Sequence, residues 1–377
     1  MNNNGVHRRP KQHNLERERA IWTEKKVNAG VMAQRLCVIG KSSRYYRMKD
    51  CADTIISDVC GKCEGRYIIQ TKFCRDRLCP VCSWRRSRRL AQRLGEIIAA
   101  NEAERRSRYI YLTLTVRNVP WEELREQIEI IMESWRRMDK RIKRAAAVMG
   151  WVRSFEVKRS REHGDAHPHL HILLQVPPEY FDKDSGLHYH KKDELIQQWR
   201  ECLRAKYSPS ISISAVKDTE HDIGRVVTEM TKYLAKNSGI EGLSDSDFRY
   251  YVEAVHGVRT WSTGGRMRIS DEEEIEAFLH GDQTTINEDG ICKQCGGKLF
   301  EMREVWSSAG KAYTVKDGID YNNLKTNGYD ETQVSGGNGG YVVNLNLNIN
   351  QTGGGNIYVG DIYGGYAGKG ECSIDGD

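Results

Sequence analysis

His169-Leu170-His171-Ile172-Leu173-Leu174 sets two imidazoles in alternation with apolar residues and runs straight into an apolar strand. Period-two alternation places both histidines on one face of a β-strand, about 7 Å apart along the chain. That spacing can grip one divalent metal ion. Further on, Glu229, Tyr233 and Lys236 recur at spacings of four and three in a helical pattern. A carboxylate, a phenol and an ammonium then project from one side of a helix. A metal site together with a tyrosine able to act as nucleophile points to phosphodiester chemistry.

The flanking segments supply the element order. Residues 109–116 are rich in β-branched and aromatic side chains and read as a strand. Pro120 then opens a helix whose Leu124, Ile128, Ile131, Trp135 and Met138 keep helical spacing. Residues 151–158 alternate as a strand, 159–165 form a charged turn containing Gly164, and 169–176 return as the hairpin partner, with His167 left to the turn. A helix over 193–206 carries Leu195, Trp199, Cys202 and Leu203 on one side, and a short strand covers 211–216. The order βαββαβ, followed by the tyrosine helix, predicts an α+β domain. It is a split βαβ (ferredoxin/RRM-like) arrangement with an antiparallel sheet, helices packed on one face, and the other face free to hold substrate. Phe248, Tyr250, Tyr251, Val255 and Val258 extend the helical packing to about residue 268.

At about 100° per residue, Ile223, Val226, Val227, Met230 and Leu234 form a stripe for burial, and Glu229, Tyr233 and Lys236 a second stripe beside it. A phenol has a pKa near 10, so it attacks at neutral pH only where positive charge stabilises phenolate and a metal polarises the phosphate. Lys236, one turn away, supplies part of that charge, and Glu229 suits a general base for water or a 3′-hydroxyl in a later step. Glu229 and Asn237 occupy the positions one turn from Tyr233, where a second tyrosine would have to lie. This favours one covalent tyrosine step followed by assisted hydrolysis.

With 377 residues and a net charge of +6, the chain has room for two or three compact units. No apolar run is long enough to span a membrane, and residues 1–10 lack the apolar core of a secretory signal, so a soluble cytoplasmic protein is expected. In that compartment eleven cysteines point to metal before disulfides. The chain divides by composition into a basic N-terminal region (1–50, with a helix around 15–26), a cysteine-rich module and basic helix (51–106), the domain containing the histidines and the tyrosine (107–268), a C-terminal extension (269–334) and a Gly/Asn-rich low-complexity tail (335–377). The extension begins with an acidic helix near 271–278. In the tail, which reads as poorly ordered, Val343, Leu345, Leu347 and Ile349 alternate with asparagines. A strand of that kind can pair with a copy of itself, so self-association is a further expectation.

At these residues the chain resembles the plasmid rolling-circle replication initiators of the HUH endonuclease superfamily, the type that pairs one tyrosine with one glutamate. Tyr111-Leu112-Thr113-Leu114-Thr115 resembles the first motif and His169-Leu170-His171 the second. Glu229-Met230-Thr231-Lys232-Tyr233-Leu234-Ala235-Lys236 resembles the third. The stretch from Phe73 to Ser87 resembles the cysteine-arginine signature that precedes the catalytic domain, and Val258-Arg259 followed by Gly264-Gly265 echoes its end. The resemblance covers roughly 51–268, and the joint order of its motifs is far more specific than any one of them. It implies a nickase that holds Mg²⁺ or Mn²⁺ on His169 and His171 and attacks single-stranded DNA with Tyr233. The products are a 5′-phosphotyrosyl link and a free 3′-hydroxyl. It further implies that Glu229 activates water to end the round, that Lys236 steadies phosphate or phenolate charge, and that a host helicase and polymerase take part. In this superfamily a third polar ligand often lies on the neighbouring strand, which makes Glu156 the candidate, with Asp165 or His163 as alternatives.

Cys60-Gly61-Lys62-Cys63 and Cys79-Pro80-Val81-Cys82, fifteen residues apart, suit tetrahedral thiolate coordination of zinc. Cys51 and Cys74 blur the ligand set, and spacing in the resembling family leaves Cys51, Cys74, Cys79 and Cys82 as a competing tetrad. Cys292 and Cys295 find no partner pair. Zinc here would either staple the module or present Arg85, Arg86, Arg88 and Arg89, with Arg93 beyond them, to duplex DNA at the origin. Competing readings are a conjugative relaxase or single-tyrosine transposase, and a zinc-ribbon DNA-binding regulator without catalysis.

Overall fold

The computed structural model describes residues 15–145, 148–182, 184, 191–216, 224, 227–228, 230–231, 240, 242–279, 290–318, 335–337 and 340–342. The chain forms two compact units, Met1–Cys74 with Gln283–Asp377, and Arg75–Asp282. The first unit opens with α1 (Leu15–Val38), α2 (Ser42–Lys49), β1 (Thr54–Cys60) and β2 (Arg66–Thr71). The second is built from α3 (Pro80–Glu104), β3 (Arg108–Thr115), α4 (Leu124–Ala145), β4 (Gly150–Arg159), β5 (Ala166–Val176), α5 (Lys192–Leu203), β6 (Ile211–Ala215), α6 (Asp245–Ala254), β7 (Trp261–Gly265) and α7 (Asp271–Leu279). The chain then returns to the first unit with β8 (Leu299–Ser307), β9 (Ala312–Gly318) and the short pair β10 (Ser335–Gly337) and β11 (Gly340–Val342). Among the described residues, no helix is long and apolar enough to cross a membrane.

In the first unit, α1 runs twelve residues past its expected end because Ala29, Met32, Ala33 and Leu36 continue the buried stripe begun by Leu15 and Trp22. The sheet order is β2-β1-β8-β9, and every neighbouring pair is antiparallel. Residues of the expected C-terminal extension therefore supply two strands that complete a sheet begun by β1 and β2. Glu304 of β8 is 1% exposed and accepts from Arg19 Nε of α1 at 2.7 Å and from the Arg66 guanidinium of β2. The alternating tail segment 343–350 lies outside the described residues.

The second unit holds a five-stranded sheet of order β6-β3-β5-β4-β7, antiparallel throughout. Numbered within the unit βαββαβ, its first four strands lie in the order 4-1-3-2. The β4–β5 hairpin turns through residues 160–165, where Ser160 N–H donates to Asp165 O at 2.7 Å and Gly164 takes φ +77°. A non-glycine residue in that left-handed conformation would be strained. His167 belongs to β5 and pairs with Lys158, so the turn is shorter than expected.

Two expectations are corrected. Helices cover both faces of this sheet. On one, α4 packs Trp135 edge-on against Trp151 at 5.3 Å, and α5 is tied to α4 by Arg137 Nε donating to Cys202 O at 2.8 Å. On the other, Leu90, Leu94 and Ile98 of α3 cluster with Tyr109, Val152, Leu173, Val227 and Met230. The face expected to stay free is thus covered by α3 along that cluster. The chain after α6 also does not remain helical: β7 adds an edge strand to β4, because a β-carbon on Gly264 would lie 2.6 Å from the Trp151 ring. The glycine pair lets backbone approach indole, and a side chain there would exclude it.

Candidate metal centre and its surroundings

The histidine pair stands on β5, the middle strand of five, with β3 and β4 on either side. Register fixes its neighbours: His169 faces Thr115 of β3 and Glu156 of β4, and His171 faces Thr113 and Ser154. Because pleating sends alternate side chains to one face, Glu156, His169, His171, Thr113 and Tyr111 share a surface. That surface is continuous with the one on which Leu173 and Val152 receive Val227 and Met230.

Glu156 Oε2 lies 2.8 Å from His169 Nε2 and 3.1 Å from His171 Nε2, and all three residues are buried. His169 Nδ1 donates to the carbonyl of His167 at 3.1 Å. A neutral imidazole that donates through Nδ1 carries its lone pair on Nε2. An electron-rich nitrogen facing a carboxylate oxygen at 2.8 Å needs a cation between or beside them, a proton or a metal ion. His171 Nδ1 is held by Tyr111 Oη at 2.8 Å and Thr113 Oγ1 at 3.3 Å, which aims its Nε2 at the same point. The second hydrogen bond of each ring sets tautomer and orientation, as in established metal sites. The donor atoms all lie within 4.8 Å of one another, and the triad could hold a metal ion.

Burial opposes ionisation of Glu156, but the adjoining His169 and His171 rings hold its carboxyl well below the usual range, and Lys158 Nζ at 3.1 Å adds to this. Burial pushes the imidazoles of His171 and His167 down, which favours their neutral forms. Glu156 lies beside both imidazoles, on the strand next to theirs. His163 is exposed on the turn beside Glu162, and neither it nor Asp165 joins the group. Tyr111 and Lys158 were missed as site residues. Tyr111 was legible as a residue in phase with Thr113 on a strand that pairs with β5, and Lys158 as the next residue after Glu156 on the same face of β4.

Glu229, Tyr233 and Lys236 lie outside the described residues, as do Ile223, Val226 and Leu234 of the neighbouring stripe. Val227 and Met230 of that stripe are buried, 6% and 0% exposed.

Among the free cysteines of the described residues, four of one unit form a group that could hold a metal ion. Cys60 and Cys63 gather with Cys292 and Cys295, the pair for which the sequence offered no partner. In the arginine run of α3, Arg85 is 2% exposed, and Arg86 is pushed down to about 10, first by burial and then by Arg77 and Arg259. Arg88 and Arg89 are exposed, Arg88 lying 5.1 Å over the Trp84 ring, and Arg93 pairs with Glu273 and Glu96.

A family model described as replication protein (Rep_1) matches residues 65–314, two thirds of the chain. The chain belongs to this replication protein family. The resemblance its motifs carry, to plasmid rolling-circle Rep initiators, is thereby borne out. Among similar proteins, "Protein rep" of Bacillus amyloliquefaciens is 29% identical, with 78% of this chain and 94% of the relative aligned. "Protein rep" of Streptococcus pneumoniae is 28% identical over 72% of this chain and 84% of the relative, and that of Lactiplantibacillus plantarum 27% identical over 78% and 95%. No solved structure matches. Membership supports a role in initiating plasmid replication, with binding to origin DNA as its corollary.

Proposed function

We infer that this replication protein initiates rolling-circle replication by nicking one strand of origin DNA through a phosphotyrosine intermediate. The convergence of Glu156, His169 and His171 on adjacent strands of one sheet carries the reading. The strand order 4-1-3-2 supports the split βαβ fold of HUH endonucleases, and the tyrosine motif follows in the expected order. A divalent cation, Mg²⁺ or Mn²⁺, bound by the triad would polarise the scissile phosphate. Tyr233 attacks the phosphorus, the bond to the 3′-oxygen breaks, and that oxygen takes up a proton equivalent to the one lost from the phenol. The products are a 5′-phosphotyrosyl protein and a 3′-hydroxyl that primes synthesis. Lys236 stabilises developing negative charge, and Glu229 later activates water to release the strand by hydrolysis. Arg88 and Arg89 are the exposed arginines of α3 offered to duplex DNA. Host helicase and polymerase act on the nicked product.

Incubation of the purified chain with labelled single-stranded origin DNA and Mn²⁺ tests the reaction, and mass spectrometry of the DNA-linked peptide tests the nucleophile. An adduct on the peptide containing Tyr233, lost in Tyr233→Phe with DNA binding retained, is the expected result. Full Mn²⁺-dependent cleavage by the combined His169→Ala and His171→Ala variant would place the metal elsewhere. Absence of any adduct would leave a DNA-binding regulator. Glu229→Ala should nick normally but fail to release monomeric circles.

A further inference from the structure

We propose that Cys60, Cys63, Cys292 and Cys295 form a tetrathiolate zinc site assembled from two knuckles of one backbone design. The sequences are Cys60-Gly61-Lys62-Cys63-Glu64-Gly65 and Cys292-Lys293-Gln294-Cys295-Gly296-Gly297. In each, the residue after the second cysteine is left-handed, Glu64 at φ 60° and Gly296 at φ 69°. In each, that residue's N–H donates to the carbonyl of the first cysteine, Glu64 to Cys60 at 3.0 Å and Gly296 to Cys292 at 2.8 Å. The first cysteine's N–H in turn donates to the closing glycine, Cys60 to Gly65 O at 2.9 Å and Cys292 to Gly297 O at 2.8 Å. Two segments more than two hundred residues apart in the sequence thus repeat one turn, bond for bond.

The turns also present the same donors to sulfur. Backbone amides of Lys62 and Cys63 point at Cys60 Sγ, and those of Gln294 and Cys295 point at Cys292 Sγ. Such N–H groups stabilise thiolate rather than thiol. Across the pair, Cys60 and Cys295 sulfurs stand 3.5 Å apart and Cys63 and Cys292 sulfurs 3.6 Å, all four lying within 4.8 Å of one another. A tetrahedron with zinc–sulfur bonds of about 2.3 Å has edges of about 3.8 Å, whereas a disulfide requires about 2.05 Å. The sulfurs are therefore at ligand spacing and outside bonding distance. Tyr67 Oη at 3.2 Å from Cys292 Sγ completes the surround. The closing glycines pack close to the sulfurs: a β-carbon on Gly297 would clash at 2.9 Å from Cys60 Sγ, and one on Gly65 would crowd Cys63 Sγ at 3.3 Å.

The position of the site gives it a task. Cys60 ends β1, whose register with β8 begins at Cys60↔Leu299, three residues after Gly296. Zinc would therefore lock the segment that follows the catalytic residues onto the strand that precedes them, and set the β1–β8 register. This is structural coordination, with all four positions filled by protein, and it does not depend on the nicking reaction.

The test uses the full chain. Elemental analysis of protein purified without chelator should give one zinc equivalent fewer in Cys292→Ser/Cys295→Ser than in the wild type, while Cys292→His, which retains a zinc-ligating side chain, should keep that equivalent. Native alkylation of the wild type, read by peptide mass spectrometry, should show Cys60, Cys63, Cys292 and Cys295 protected until the metal is removed, and this readout survives even if the double variant misfolds. Unchanged zinc content in the double variant, alkylation of these four cysteines indifferent to metal removal, or Cys60–Cys295 and Cys63–Cys292 disulfides in anaerobically purified protein would each overturn the proposal.

Discussion

At the residue scale, Glu156 and its two imidazoles exist as a group because strand register brings them together. Each histidine is oriented by the hydrogen bond its Nδ1 makes, and for His171 that bond runs to Tyr111 Oη at 2.8 Å. Removing an outer partner of a ligating histidine typically costs about 10–100-fold in metal affinity. Tyr111→Phe should therefore raise the Mn²⁺ concentration needed for half-maximal cleavage by about 10-fold or more, with cleavage at saturating Mn²⁺ largely restored. A metal titration of nicking rate checks this. Glu156→Gln keeps the shape but removes the anionic ligand, and should lose more than Tyr111→Phe in the same titration.

At the scale of elements, α7 shows how a local sequence fixes its own boundary. Ser270 Oγ accepts from Glu273 N at 3.1 Å, and Glu273 Oε2 accepts from Ser270 N at 2.9 Å, a reciprocal capping box. Ser270→Ala should cost about 1 kcal/mol in urea unfolding. The Ser270 amide, with help from Arg93, holds the Glu273 carboxyl below the usual carboxylate range. A depressed carboxyl contributes stability that is complete above the unfolded value of about 4.3 and is lost as the pH falls through the lower folded value. The wild-type advantage over Glu273→Gln should thus be present at pH 7 and shrink in acid. The acidic helix near 271–278, the stripe of α4 and the alternation of β4 and β5 were legible, since each rests on residues within a few positions of one another. The edge strand β7 was not. Phe248, Tyr250 and Tyr251 extrapolate into more helix, and only the position of the Trp151 ring against Gly264 shows why the chain extends there instead.

At the scale of the molecule, β8 returns over two hundred residues after β1 to lie beside it, and it brings a buried charge. Glu304 and Arg66 are each 1% exposed at the side chain, and Arg19 adds a second guanidinium. Breaking a buried pair from one side leaves an uncompensated charge and costs about 3–5 kcal/mol. Glu304→Ala should destabilise the first unit by that order in denaturant unfolding, with Glu304→Gln in between because it can still accept hydrogen bonds.

By itself the sequence determined the chemistry-bearing residue types, the order of helices and strands from β3 to β6, and the family, because periodicity and motif order are written in near neighbours. Tertiary structure alone decided which distant groups meet. Strand register, which one residue of slip would invert, sets Glu156 rather than Asp165 or His163 beside the histidines, and Cys60 and Cys63 take Cys292 and Cys295. Four-cysteine combinations among eight thiols look alike in sequence, and only the folded backbone, by carrying β8 to β1, selects the set whose sulfurs come within ligand distance.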